Sequence, residues 1–376
     1  MLIETHVVID ALLALGVALI ISFLATPFVK RFAYKVGAID VPKDARRVHN
    51  HPIPRLGGLA IYIAFILAVV IFAPINRQTT GILIGSLIIV IMGVVDDIVP
   101  LPALLKFGVQ ILAALVAVYF GVIVDTFSNP NVFSATEYIS LGVWSIPLTV
   151  IWIVAITNSV NLIDGLDGLA VGVSAIASIT MLVVALVLGI GDIAIILAAL
   201  TGACIGFMPY NMNPAKIFMG DTGALLLGYL LATLSVTGMF KFYAIISFAV
   251  PLLALALPLF DTVFVFCRRL SMGKNPMSPD RGHFHHRLLD MGLSQKQVVA
   301  VLYSISAVLG VAAVIITTSG ELKAIMLLIA FAVALVIGSA LIRGGRRSGT
   351  DSDNTPEEDN SAKAAPEEDA DASSGE

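Results

Sequence analysis

Long apolar runs alternate with short polar breaks along almost the whole chain. Runs of roughly 17–25 apolar residues are long enough to cross a bilayer as helices. Eleven such segments can be drawn, at about 7–29, 57–75, 80–95, 102–124, 144–163, 169–189, 192–210, 222–238, 242–266, 297–317 and 321–342. The thinnest division is Gly189-Ile190-Gly191-Asp192, between the sixth and seventh. The pattern predicts an all-α, polytopic integral membrane protein, with Pro251 and Pro258 kinking the ninth segment.

The polar breaks fix an orientation. No basic stretch precedes the first segment, whereas Lys30 and Arg31 follow it, which favours a retained anchor with its N-terminus outside. Crossing by crossing, the inner loops become 30–56, 96–101, 164–168, 211–221 and 267–296, together with a cytoplasmic C-terminus. Of 22 Lys and Arg, only Arg77, Lys241 and Lys323 fall outside. That is the asymmetry of the positive-inside rule.

Composition agrees: 58% of residues are hydrophobic and 13% charged, with a mean hydropathy of +0.96. Soluble domains carry about 25% charged residues. The net charge of −4 hides a split. Residues 1–347 hold 21 basic and 16 acidic side chains, whereas 348–376 hold one lysine and ten acids. Residues 1–345 therefore read as a transmembrane domain and 346–376 as a disordered acidic tail that cannot form a core. Cys204 and Cys267 specify neither a disulfide framework nor a zinc site.

Four polar groups fall at the inner edge. Asp96 and Asp97 close the third segment, either as a solvated helix end or as a pair whose mutual repulsion a cation relieves. Asn158, Asn161 and Asp164 follow at one-turn spacing on a helix, and two Asp-Gly steps, 164–165 and 167–168, then break it. Asp221 and Thr222 stand where a helix begins, as a cap, a diphosphate or cation site, or both. His283, His285 and His286, flanked by Arg281 and Arg287, suit an anionic ligand or a metal. Two features stay open: the basic loop 43–58 could hold a phosphate or only reflect inner-loop charge, and Asp261 is an intramembrane acid that could work in the site or pair with a neighbouring helix. Carboxylates, amides and imidazoles at one membrane face suit metal-assisted chemistry on a phosphorylated, membrane-bound substrate.

Together these groups resemble the polyprenyl-phosphate N-acetylhexosamine-1-phosphate transferases, the MraY/WecA superfamily. The likeness covers residues 1 to about 345 and rests on Asp96-Asp97, the Asn-x-x-Asn-x-x-Asp-Gly-x-Asp-Gly run at 158–168, Phe218-Met219-Gly220-Asp221 and the histidines at 283–286. The order His-Phe-His-His-Arg resembles the N-acetylglucosamine branch rather than the muramoyl-pentapeptide branch. The resemblance implies transfer of N-acetylglucosamine 1-phosphate from UDP-N-acetylglucosamine to undecaprenyl or another polyprenyl phosphate, releasing UMP, at the cytoplasmic face of the cell membrane. It implies Mg²⁺ (or Mn²⁺) held by Asp221 with Asn161, and Asp96, Asp97 and Asp164 as catalytic acids, Asp96 acting on the lipid phosphate. It also implies uridine contacts from Asp167, Asn211 and Phe218, and sugar-diphosphate contacts from His283, His285, His286 and Arg287. The expected partners are the two substrates and the bilayer, without nucleic acid; a homodimer stays open.

Direct attack by the lipid phosphate and a two-step route through an aspartyl intermediate are both compatible with these residues. A muramoyl-pentapeptide transferase is the nearest rival. A proton-coupled transporter is the rival from another class, and would want acids near the bilayer midplane.

Overall fold

α1 (Thr5–Val36) is built inside out. It buries Ala11, Ala14, Ala18 and Ser22 and exposes Leu12, Leu13, Ile20, Phe23, Leu24 and Phe28. Small residues facing protein and large apolar ones facing outward are what lipid surroundings demand, since close backbone packing replaces the hydrophobic effect there. Its partner is α7 (Gly191–Asn211), where the Ser22 hydroxyl donates to the Ala203 carbonyl at 2.7 Å.

The computed structural model describes residues 5–41, 52–128, 138–238, 250–273 and 283–318. The predicted eleventh segment, the acidic tail, Arg281 and most of the basic loop 43–58 lie outside the described residues. The other helices are α2 (Gly57–Phe72), α3 (Arg77–Ile98), α4 (Ala103–Tyr119), α5 (Ser145–Ile163), α6 (Leu169–Leu188), α8 (Gly220–Gly238), α9 (Ala256–Ser271), α10 (Phe284–Asp290) and α11 (Gln295–Thr317). Two antiparallel ribbons interrupt them, β1 (Ile39–Asp40) with β2 (Ile53–Pro54) and β3 (Thr126–Ser128) with β4 (Tyr138–Ser140).

Among the described residues, seven helices are long and apolar enough to cross a membrane: α1, α3, α5, α6, α7, α8 and α11. α2 and α4, with 16 and 17 residues, fall short of that length. At 1.5 Å per residue they reach only about 24–26 Å. Both coincide with predicted segments. The ninth segment is helical from residue 250 and broken at Leu255 (φ −106°, ψ 13°), between Pro251 and Pro258. Pro258 cannot donate to the carbonyl four residues back, so the kink falls where the prolines place it.

α8 forms the centre of the bundle. Nearly all its side chains are buried, and its mean hydropathy is the lowest of the seven spans. At one end of the bundle, Arg77 donates to the Tyr119 carbonyl at 2.8 Å and Gln78 to the Gly121 carbonyl at 2.6 Å. These bonds place the start of α3 beside the end of α4, as alternate crossing requires. The opposite ends of α3, α5 and α8 lie at the aspartates, and that of α4 brings Lys106 to them.

Candidate active site

The sequence places Asp96 and Asp97 at the close of an apolar run; the structure keeps both within the last turn of α3 and buries them. Asp97 reaches the start of α8. One of its oxygens accepts the Asp221 N–H at 3.0 Å, and the other accepts the Thr222 N–H at 3.0 Å and the Thr222 hydroxyl at 2.6 Å. A carboxylate from another helix thus satisfies amides that the first turn of α8 leaves unpaired, where the helix dipole favours negative charge. Gly93 makes the approach possible, since a Cβ there would collide with the Thr222 backbone. Asp97→Ala should therefore cost about 1–3 kcal/mol of stability, the penalty for orphaned buried donors, measured as a lowered unfolding midpoint in detergent.

Asp96 faces the other way. Its carboxylate accepts the Leu101 N–H at 2.7 Å and the Lys106 ammonium at 3.0 Å. The same ammonium donates to Asp221 at 2.9 Å, while the second Asp221 oxygen accepts from Asn161 at 3.2 Å. Lys106 thereby ties α3, α4 and α8 at one point, and Asn161 adds α5. The sequence reading passed over Lys106, although a lysine in an apolar segment was the available signal. One turn before Asn161, Asn158 points its amide at Gln110 of α4.

Asp164 lies just past the last residue of α5, at φ −76° and ψ 57°, rather than one turn further along the helix. Burial pushes its carboxyl up to about 8, and the charges of Asp221, Asp97 and Asp167 push the same way. Asp96, Asp97, Asp164, Asp167 and Asp221 thus share one helix-end cluster, in which Lys106 is the cation bonded to two of them.

The residues expected at the nucleotide have other bonds. Asn211 is buried and spent on backbone: it accepts the Gly168 N–H at 3.2 Å and donates to the Ile217 carbonyl at 3.1 Å. Asp167 accepts from the Asn213 amide and the Ala215 N–H, both at 3.0 Å. Phe218 is half-buried, and its backbone pairs with the Arg55 strand end, donating to the Pro54 carbonyl at 2.8 Å. Arg55 in turn donates to the Asp97 carbonyl at 3.1 Å.

The histidine segment reaches the same region. His285 is buried against Gly165, where any Cβ would strike its ring. Burial, reinforced by the charge of His286, pulls His285 down to about 4, so it is neutral at neutral pH. His286 packs beside it at 4.3 Å between ring centroids. His283 instead bonds Asp261, so this intramembrane acid has a partner in the histidine segment. The Arg287 guanidinium lies over the Phe264 ring at 5.4 Å, held by cation–π attraction. With Leu257, Phe260, Phe264 and Asp261 it lines a cavity of about 280 Å³.

Magnesium can be tested against this donor set. The groups are hard oxygen donors in excess over basic ones, and Asp164 is driven towards protonation by burial and then by its acidic neighbours. Among the described residues no three His, Cys, Asp or Glu side chains already converge as ligands. Mg²⁺ does not require three: it keeps several waters and takes one or two carboxylates plus substrate phosphates. The residues fit such an ion.

The sequence profile of glycosyl transferase family 4 matches residues 79–239. A probable undecaprenyl-phosphate N-acetylglucosaminyl 1-phosphate transferase of Bacillus subtilis is 42% identical over 317 residues, covering 82% of this chain and 87% of the relative. The chain belongs to glycosyl transferase family 4. Within it, the similarity places the chain in the N-acetylglucosamine-1-phosphate transferase branch of the MraY/WecA superfamily. A decaprenyl-phosphate N-acetylglucosaminephosphotransferase of Mycolicibacterium smegmatis is 35% identical over 85% of this chain and 86% of its own length. A phospho-N-acetylmuramoyl-pentapeptide-transferase of Caldanaerobacter subterraneus is 32% identical, over 61% of this chain. The family match spans α3 to α8, the stretch of chain that carries all five aspartates.

Proposed function

We propose that this protein transfers N-acetylglucosamine 1-phosphate from UDP-N-acetylglucosamine to a polyprenyl phosphate at the cytoplasmic face of the cell membrane, releasing UMP. The observation that carries the reading is the convergence of Asp96, Lys106, Asn161 and Asp221 from four helices onto one hydrogen-bonded point. The named relatives supply the substrate class, and the positive-inside asymmetry supplies the side.

The reaction joins two anions, so positioning and charge neutralisation dominate it. An oxygen of the lipid phosphate attacks the sugar-linked phosphorus, and the bond from that phosphorus to the UMP oxygen breaks. Asp221 and Asn161 would hold Mg²⁺, which when bound neutralises the diphosphate and the departing UMP. Lys106, aimed by Asp96, offers its ammonium to a phosphate oxygen. Asp97 holds the start of α8 so that Asp221 faces the cluster. His285, neutral and pressed on Gly165, presents its ring to the sugar-diphosphate side.

Direct attack is the better-supported route. Both oxygens of Asp97 and both of Asp96 already accept hydrogen bonds, which leaves neither as an exposed nucleophile. A phosphate's second pKa is about 6, so the acceptor is largely ionised without a base. Purified protein, Mg²⁺, polyprenyl phosphate and radiolabelled UDP-N-acetylglucosamine should give labelled lipid and UMP, with EDTA stopping both. Labelled lipid from UDP-muramoyl-pentapeptide alone would replace this reading by its nearest rival. UDP-sugar/UMP exchange without lipid would replace direct attack by the two-step route.

A further inference from the structure

Asp261 sits on α9, three residues past the proline that helps break the ninth segment, and is almost fully buried. One of its oxygens meets His283 Nδ1 at 2.9 Å, and the other accepts the Phe284 N–H at 2.7 Å. Both oxygens are thus spent on the first two residues of the histidine segment. With the carboxylate accepting, Nδ1 is the donor of this bond. The His283 ring lies nearly parallel to that of His285, 12° between planes and 5.8 Å between centroids. His285 in turn rests on Gly165, next to Asp164.

We infer that Asp261 is a positioning residue that fixes the tautomer and aim of His283, and through the stacked ring of His285 aligns the histidine segment with the Asp164–Gly165 turn. Capping Phe284 alone would need a single acceptor, which an uncharged asparagine supplies. A buried carboxylate in an apolar helix is a costly choice, and the second donor, the imidazole, accounts for it. The break at Leu255 sets the direction of α9, which carries this acid. The inference rests on the proposed role of the histidines over the sugar-diphosphate.

The test is a double-mutant cycle of Asp261→Asn and His283→Ala, with UDP-N-acetylglucosamine and polyprenyl phosphate as substrates and the unfolding midpoint of each variant recorded. The asparagine amide keeps one acceptor for Phe284 but donates towards Nδ1, forcing the other tautomer. Turnover should fall about 10–100-fold, the usual loss when the partner that orients a histidine is removed. The KM for the lipid should stay unchanged. Added to His283→Ala, the second substitution should cost less than about twofold, because both act through one group. Losses that multiply in the double variant, or an Asp261→Asn enzyme of wild-type turnover, would overturn the inference and leave the histidine role standing. Wild-type turnover in His283→Ala alone would remove both. Asp261→Glu, which keeps the charge, serves the same cycle if the asparagine variant does not fold, and should retain more turnover than Asp261→Asn does.

Discussion

Asp221→Asn should lower lipid product formation by at least about 10³-fold while leaving the protein folded. The carboxylate accepts from both Lys106 and Asn161 and has part of its surface open to the cluster. An asparagine keeps the shape, but its amide would oppose one of those two donors, and it cannot neutralise a cation. Removing one preorganised electrostatic group from a site of this kind costs about 10²–10³ in turnover. Here the loss is compounded because the same side chain would hold the metal. The bonds that join α8 to Asp97 run through the Asp221 backbone and through Thr222, so they survive this substitution. Turnover in excess Mg²⁺, with the unfolding midpoint as control, checks both halves. An active Asp221→Asn enzyme would remove the proposed metal site.

Lys106→Met should cost about 10²–10³ in turnover, the range for loss of one charged donor in a water-poor site. The substitution preserves the apolar stem and removes the ammonium that lies 3.0 Å from Asp96 and 2.9 Å from Asp221. The two carboxylates then face each other without a cation, and like charges at such range disfavour joint ionisation. The pH–activity profile should therefore move to higher pH in the variant. Lys106→Arg retains the charge but exchanges a point donor for a planar fork, and should fall between the methionine variant and the wild type. Equal activity in all three enzymes would show that the bridge has no part in catalysis.

Much of this was legible in the chain because it depends on short sequence spacing. Apolar run lengths located most described helices to within about three residues, although α1 runs to Val36, seven residues past its expected end, and Pro251 with Pro258 announced the break before α9. Crossing parity put Asp96, Asp164 and Asp221 on one face, and the structure gathers them at one end of the bundle. What stayed hidden depends on contacts between distant positions. Asp97 reads as half of an acidic pair until Thr222, 125 residues away, is seen donating to it. Asn211 and Asp167 read as ligand contacts, yet their oxygens serve nearby backbone and amide groups. Arg287 lies beside the histidines in sequence, but the turn into α10 sends it to Phe264. Lys106 carries a signal of its own in the chain, for a cation inside an apolar segment seldom lacks a partner.

The makeup of α8 has a bearing on how the molecule is put together. A span whose surface is almost entirely claimed by other spans gains little from lipid itself, and its modest hydropathy offers the insertion machinery a weak signal. Its stability in the bilayer must come from α3 and α5, which precede it in the chain. The aspartate it carries therefore joins the cluster only after the helices that wall it are in place.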